Sequence, residues 1–117
     1  MFTDPACIFC KIISGDSPAT IVHQDDRVVA FHDIRPVAPV HILIVPRRHI
    51  PSVNHLEEDD EPLVGHLFTV ARQLAQSDGI DRSGYRLILN TGPDSGQAVF
   101  HLHLHLIGGR RMRFPMG

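Results

Sequence analysis

With 117 residues, 43% of them hydrophobic and 21% charged, the chain has the size and make-up of one globular domain, residues 1–117, built on one core. A formal net charge of −2 provides no broad positive field, which argues against a protein built to bind nucleic acid. No apolar run is long enough to span a bilayer, MFTDPACIFCKII lacks the pattern of a secretory leader, and the two cysteines share one CxxC, so a reducing, cytoplasmic setting is expected.

The opening CIFCKIISGDSP reads as a short helix or turn closed by Gly15 and Pro18. TIVHQDDRVVAFHDI follows as two short strands around the polar turn 24–27, a hairpin. Pro36 and Pro39 force a loop, and HILIVP, residues 41–46, is apolar enough to be a central strand. The paired arginines, Arg47-Arg48 and Arg110-Arg111, stand beside strand ends and read as solvated.

The clearest helix comes next. Acidic residues 57–61 precede Pro62, and Leu63, Leu67, Val70, Ala71 and Leu74 then recur at three- and four-residue spacing until Gly79. Acidic side chains favour a helix start through the backbone dipole, and proline is tolerated at the first helical position. YRLILN is a strand, TGPDSGQ a glycine-rich loop, and HLHLHLI a last strand. One long helix among several strands predicts an α+β domain with a mainly antiparallel sheet, the helix packed on one face.

Side chains alternate across a strand, so His101, His103 and His105 share one face and Leu102, Leu104 and Leu106 the other. The leucines are core. The outer histidines of such a row stand about 13 Å apart, too far to converge on one ion, so the three divide their labour. Imidazole suits attack at phosphorus, because much of it is unprotonated near neutral pH and its phospho-adduct is opened by water. Gly92 to Gln97, just upstream, is a loop whose glycines permit backbone amides to turn toward an anion.

Cys7-x-x-Cys10 has three readings: a redox pair, a disulfide, or half of a zinc site. The thioredoxin-like reading is weakened because no strand precedes the motif. His23, His32, His55 and His66 have no clear partners in sequence and read as surface or satisfied core side chains, with His32 a candidate to flank a base pocket.

HLHLHLIGGR, following Gly96-Gln97, resembles the signature of the histidine-triad family. CIFCKIISGDSPA, DDRVVAFHDIRPVAPVHILIVPRRHI, GYRLILNTGPDSGQ and the terminal RFPMG look like successive segments of its nucleoside phosphoramidate hydrolase branch, so the resemblance covers nearly the whole chain. It implies a HIT-like fold with a short N-terminal helix, and a homodimer with a sheet continuous across both subunits. It implies purine nucleoside 5'-phosphoramidate hydrolysis, with His103 as nucleophile, His105 on the phosphate and His41 as an auxiliary. Asp33 and Ile34 would hold ribose and base, and Asn90, Gly96 and Gln97 would line the α-phosphate. Relatives with an N-terminal CxxC are similar in closing a structural Cys2His2 zinc site, which puts Cys7, Cys10, His49 and His101 together here. One position departs: Ala98 stands where relatives often carry a hydroxyl or acidic residue near the leaving group. Dinucleoside polyphosphate hydrolysis, a nucleotide-binding scaffold and a catalytic rather than structural zinc stay open as rival readings.

Overall fold

The computed structural model describes residues 3–113, so residues 114–117 of the terminal RFPMG lie outside the described part. Helix α1 (Ile8–Ser14) ends where Gly15 takes a left-handed conformation at φ 87°, the closing role expected of it. The hairpin follows as β1 (Ile21–Gln24) and β2 (Val28–His32), antiparallel, with a register irregularity between Ile21 and His23. Strand β3 (Val40–Pro46), helix α2 (Glu61–Ser77), β4 (Tyr85–Ile88) and β5 (Leu104–Gly108) complete the regular structure.

The five strands form one antiparallel sheet in the order β1-β2-β3-β5-β4, with β3 at its centre as HILIVP predicts. Both faces of that strand are covered. Ile42 and Ile44 pack with Leu67, Val70, Ala71, Leu74 and Ala75 of α2, while Leu43 and Val45 pack with Phe9, Cys10 and Ile12 of α1. Burial on both sides explains why the strand is apolar rather than alternating. It also puts α1, a short and otherwise marginal helix, directly over the face that carries the histidines.

Leu102, Leu104 and Leu106 are fully buried on the α2 side, as the alternation requires. Each such leucine contributes about 1.5–3 kcal/mol by burial. The last strand nevertheless differs from expectation. Its ladder begins at Leu104, so His101 and His103 precede it. The cause lies across the sheet: Pro46, at the end of β3, has no N–H to give, and its carbonyl accepts from His101 Nε2 at 2.8 Å. Leu102 N–H turns instead to the carbonyl of Ile50 at 2.6 Å.

Arg48, Arg110 and Arg111 are exposed, as expected of solvated pairs, and Arg47 is half-buried. Arg47 Nε donates to the backbone carbonyl of Asp25, Arg48 pairs with the buried carboxylate of Asp60, and Arg110 donates to the carbonyl of Val37. Asp60 also accepts from the Glu57 amide in a capping box ahead of α2; these contacts hold its carboxyl below the usual range. No described helix is long and apolar enough to cross a membrane.

Candidate active site and metal cluster

On the α1 side of the sheet, His103 and His105 stack edge to face with ring centres 4.9 Å apart, and Phe9 closes over His103 at 5.1 Å. His41 reaches the same face from β3. The protonation of each ring follows from its partners. His103 Nδ1 lies 2.7 Å from the carbonyl oxygen of His101, which can only accept, so Nδ1 carries the proton and Nε2 keeps a lone pair. Burial holds the His103 ring below the usual histidine pKa, favouring that neutral, nucleophilic form.

A second chain of contacts orders His41 and His105. The Val37 amide donates to His41 Nδ1 at 3.2 Å, so His41 carries its proton on Nε2 and presents it to His105 Nδ1 at 3.0 Å. His105 must then carry its own proton on Nε2. The two neighbouring rings are therefore opposite in character: His103 offers a lone pair at Nε2 and His105 a donor. Burial, reinforced by His103 and His41, pushes His105 down to about 4, and burial also lowers His41. Asp33 Oδ2 stands 3.4 Å from His41 Nε2, while its Oδ1 accepts from the Arg35 amide at 2.8 Å.

Asp33 and Ile34 line an open cleft of about 430 Å³ together with His32, Pro18, Ala19 and Thr20. Ile34 is 86% exposed, an apolar side chain held out in water at the lip of that cleft. His32 lines the same cleft, beside these two.

Gly92 and Gly96, both at positive φ, bracket a single turn over Pro93–Ser95. The amides of Ser95 and Gln97 point back to the Gly92 carbonyl, and that of Gly96 to the Pro93 carbonyl. The Gln97 side chain is likewise committed: Oε1 accepts from the Gly92 amide at 2.8 Å, and Nε2 donates to the carbonyls of Pro51 at 2.8 Å and Val99 at 3.1 Å. Gln97 is thus a buried brace for the loop. Asn90 is half-buried at the loop's entry, and Ala98 is exposed just after it.

The CxxC closes a separate buried cluster. Cys7 Sγ and Cys10 Sγ lie 3.4 and 3.6 Å from His101 Nδ1, Cys10 Sγ lies 3.5 Å from His49 Nδ1, and the two Nδ1 atoms are 3.2 Å apart. Tetrahedral zinc, at about 2.3 Å from sulfur and 2.0–2.1 Å from nitrogen, sets ligand separations of about 3.3–3.6 Å for pairs that include a nitrogen and about 3.8 Å between sulfurs. These four separations match such a site, and all four ligand atoms lie within 4.8 Å of one another. His101 donates its Nε2–H to Pro46, which leaves Nδ1 as the lone pair facing the cysteines, the outer-shell arrangement usual for a ligating imidazole. Amides of Asp4 and Cys10 point at Cys10 Sγ and Cys7 Sγ, each at 3.4 Å. Burial pushes the Cys10 thiol up, and burial pushes His101 down to about 4. This cluster could hold a metal ion.

Sequence reasoning missed two things. His23 and His66, read as bland side chains, share one partner: each Nε2 meets Asp25 Oδ2, at 2.8 and 2.7 Å. The backbone groups of Val37 and Pro46, which set the histidine tautomers, carry no signal in a sequence at all.

A family model described as "Scavenger mRNA decapping enzyme C-term binding" matches residues 6–114. The chain is 52% identical over 110 residues, 94% of its length and 89% of the relative's, to the purine nucleoside phosphoramidase of Escherichia coli K12. A HIT family hydrolase from Legionella pneumophila Philadelphia 1 superposes with a TM-score of 0.92 at 48% identity, covering 95% of this chain and 99% of that one. A histidine triad protein from Clostridium difficile is similarly close, with a TM-score of 0.93 at 42% identity over 97% and 98% of the two chains.

Proposed function

We propose, from the premise that this chain belongs to the histidine-triad (HIT) family, that it hydrolyses purine nucleoside 5'-phosphoramidates at the α-phosphorus through a nucleotidyl-histidine intermediate. The observation that carries this reading is the opposed protonation of adjacent rings, a lone pair at His103 Nε2 beside a proton at His105 Nε2. Nucleophile and acid are thereby set before substrate arrives. The activity named for the 52% identical relative supplies the substrate class.

In the first step His103 Nε2 attacks phosphorus and the phosphorus–nitrogen bond breaks. The cation that forms on His103 is held through Nδ1–H by the carbonyl of His101. The leaving nitrogen takes a proton handed over at His105 Nε2 and replaced there from water. In the second step water opens the bond from phosphorus to His103, its remaining proton returns to solvent, and nucleoside monophosphate departs. One water is consumed: a hydrogen ends on the amine and a hydroxyl on phosphorus. With Ala98 unable to donate, His105 is the acid this arrangement provides, and His41 holds its tautomer.

Asp33 keeps acceptor lone pairs for the ribose hydroxyls although each oxygen already has a neighbour. Ile34 and His32 give the base an apolar and an aromatic surface. Asn90 and Gly96 line the phosphate side, where Gln97 acts by bracing the loop. Cys7, Cys10, His49 and His101 would hold zinc, which fits their donor set and spacing and supplies structural cross-linking between the amino terminus and the histidine segment. We place a second copy against the edge strand β4, whose half-buried Tyr85–Ile88 ends the sheet; light scattering of purified protein should give twice the monomer mass.

Turnover of a fluorogenic adenosine phosphoramidate, with nucleotide binding measured in parallel, tests the assignment. His103→Ala should lose about a thousandfold or more in kcat while still binding adenosine monophosphate. Full turnover by that variant would overturn the nucleophile, and wild-type preference for a dinucleoside polyphosphate would overturn the leaving group.

A further inference from the structure

One group of metal-ligating side chains is used neither by the proposed reaction nor by the cysteine cluster. His23 on β1, Asp25 in the hairpin turn and His66 on α2 converge from three parts of the chain, with one ligand atom from each lying within 4.8 Å of the others. All three are half-buried, with side-chain exposures of 27%, 25% and 20%. They share no member with either of the other clusters.

We propose that His23, Asp25 and His66 form a second metal site, which takes a single divalent transition ion of the zinc, nickel or copper class and ties the β1-β2 hairpin to α2.

The arrangement of Asp25 is what distinguishes this group from an ordinary surface ion pair. Its Oδ1 is occupied by the amides of Arg27 and Val28, at 2.8 and 2.9 Å. Its backbone is tied to Val28 through the amide and to Arg47 through the carbonyl. The carboxylate is therefore locked, and Oδ2 alone faces outward, toward both imidazoles at once. Burial by itself would push this carboxyl up, but the four hydrogen bonds it accepts outweigh that and hold it well below the usual range. An ionised oxygen in a fixed position, flanked by two imidazole nitrogens, supplies three of the four ligands of a tetrahedral site before any ion arrives.

The chemistry selects the ion. Two imidazoles and one carboxylate suit zinc, nickel and copper, whereas calcium and magnesium want oxygen donors throughout. A tetrahedral ion about 2 Å from each donor spaces them about 3.3 Å apart, so the imidazoles must draw back from Oδ2 by roughly half an ångström. Each neutral imidazole now carries its proton on Nε2, since the carboxylate accepts from both. Binding moves that proton to Nδ1 by exchange with water and turns the Nε2 lone pair to the ion. Three protein ligands leave a fourth position for water.

The test is zinc uptake measured by titration calorimetry on the full chain, comparing wild type with His66→Gln and His23→Gln. The quantity read is the difference in stoichiometry, which is independent of how far the cysteine cluster is loaded. One equivalent fewer, or affinity for that equivalent at least about tenfold weaker, is expected in both variants. Equal uptake by all three proteins would reduce the group to a hydrogen-bonded clip and overturn the site. Should the variants fold poorly, nickel added to wild type decides: its paramagnetism should broaden the ring signals of His23 and His66, and broadening confined to other histidines would overturn the proposal.

Discussion

His41 Nε2 and His105 Nδ1 meet at 3.0 Å although 64 positions separate them in the chain. Their strands lie side by side, with Leu43 of β3 directly opposite His105 of β5 and His41 two residues along on the same face. Because the Val37 amide occupies the other nitrogen of His41, this single contact sets which edge of His105 carries a proton.

His41→Asn should therefore lower kcat by about 100-fold with little change in KM, since the substrate contacts remain while the acid loses its fixed tautomer. Phosphoramidates with good leaving groups, which need no proton, should be spared. A uniform loss across leaving groups would show that His41 acts only on structure.

Stability should fall as the solution is acidified below neutral. His105 is held near 4 when folded against an ordinary 6.5, and His41 is shifted the same way, so between those values the unfolded chain binds protons that the folded chain refuses. The stabilisation is complete above about 6.5 and is lost toward 4, at up to about 1.4 kcal/mol per pH unit for each such histidine. Asp25 and Asp60, held below the usual carboxylate range, extend the loss to lower pH. Urea midpoints measured from pH 7.5 to 4.5 check the sign, and His105→Asn should flatten the slope.

Stripping metal with a strong chelator should lower the melting temperature by about 10 °C or more, because the cysteine cluster ties the segment before α1 to the residues ahead of β5. Specific activity of the fraction still folded should hold. Cys10→Ser should reproduce the loss and become insensitive to the chelator. Activity that disappears while the fold persists would place the metal in the reaction instead.

Gln97→Ala should cost about 1–3 kcal/mol, since its buried amide satisfies one donor and two acceptors of the half-buried backbone around it. If Gln97 acts by bracing, KM for the nucleotide should rise with this loss, and Gln97→Glu, which keeps the acceptor and loses the donors, should fall between the two.

The sequence by itself determined the elements, their type and their sidedness. Local periodicity is enough for that: alternation separates Leu102, Leu104 and Leu106 from the histidines, three- and four-residue spacing writes out α2, and the doubly buried run at 42–45 marks the central strand. The resemblance carried by HLHLHLIGGR then singled out His103 and the Cys7, Cys10, His49 and His101 grouping. What only the tertiary structure decided is which partner each polar group has. The tautomers of His41, His103 and His105 depend on Val37 and His101 backbone groups, Gln97 turns inward to Pro51, and Asp25 gathers His23 from its own hairpin and His66 from 41 positions further along the chain. Hydrogen bonds are directional and are completed across the fold, whereas apolar burial is non-directional and is written in the spacing of neighbours along the chain.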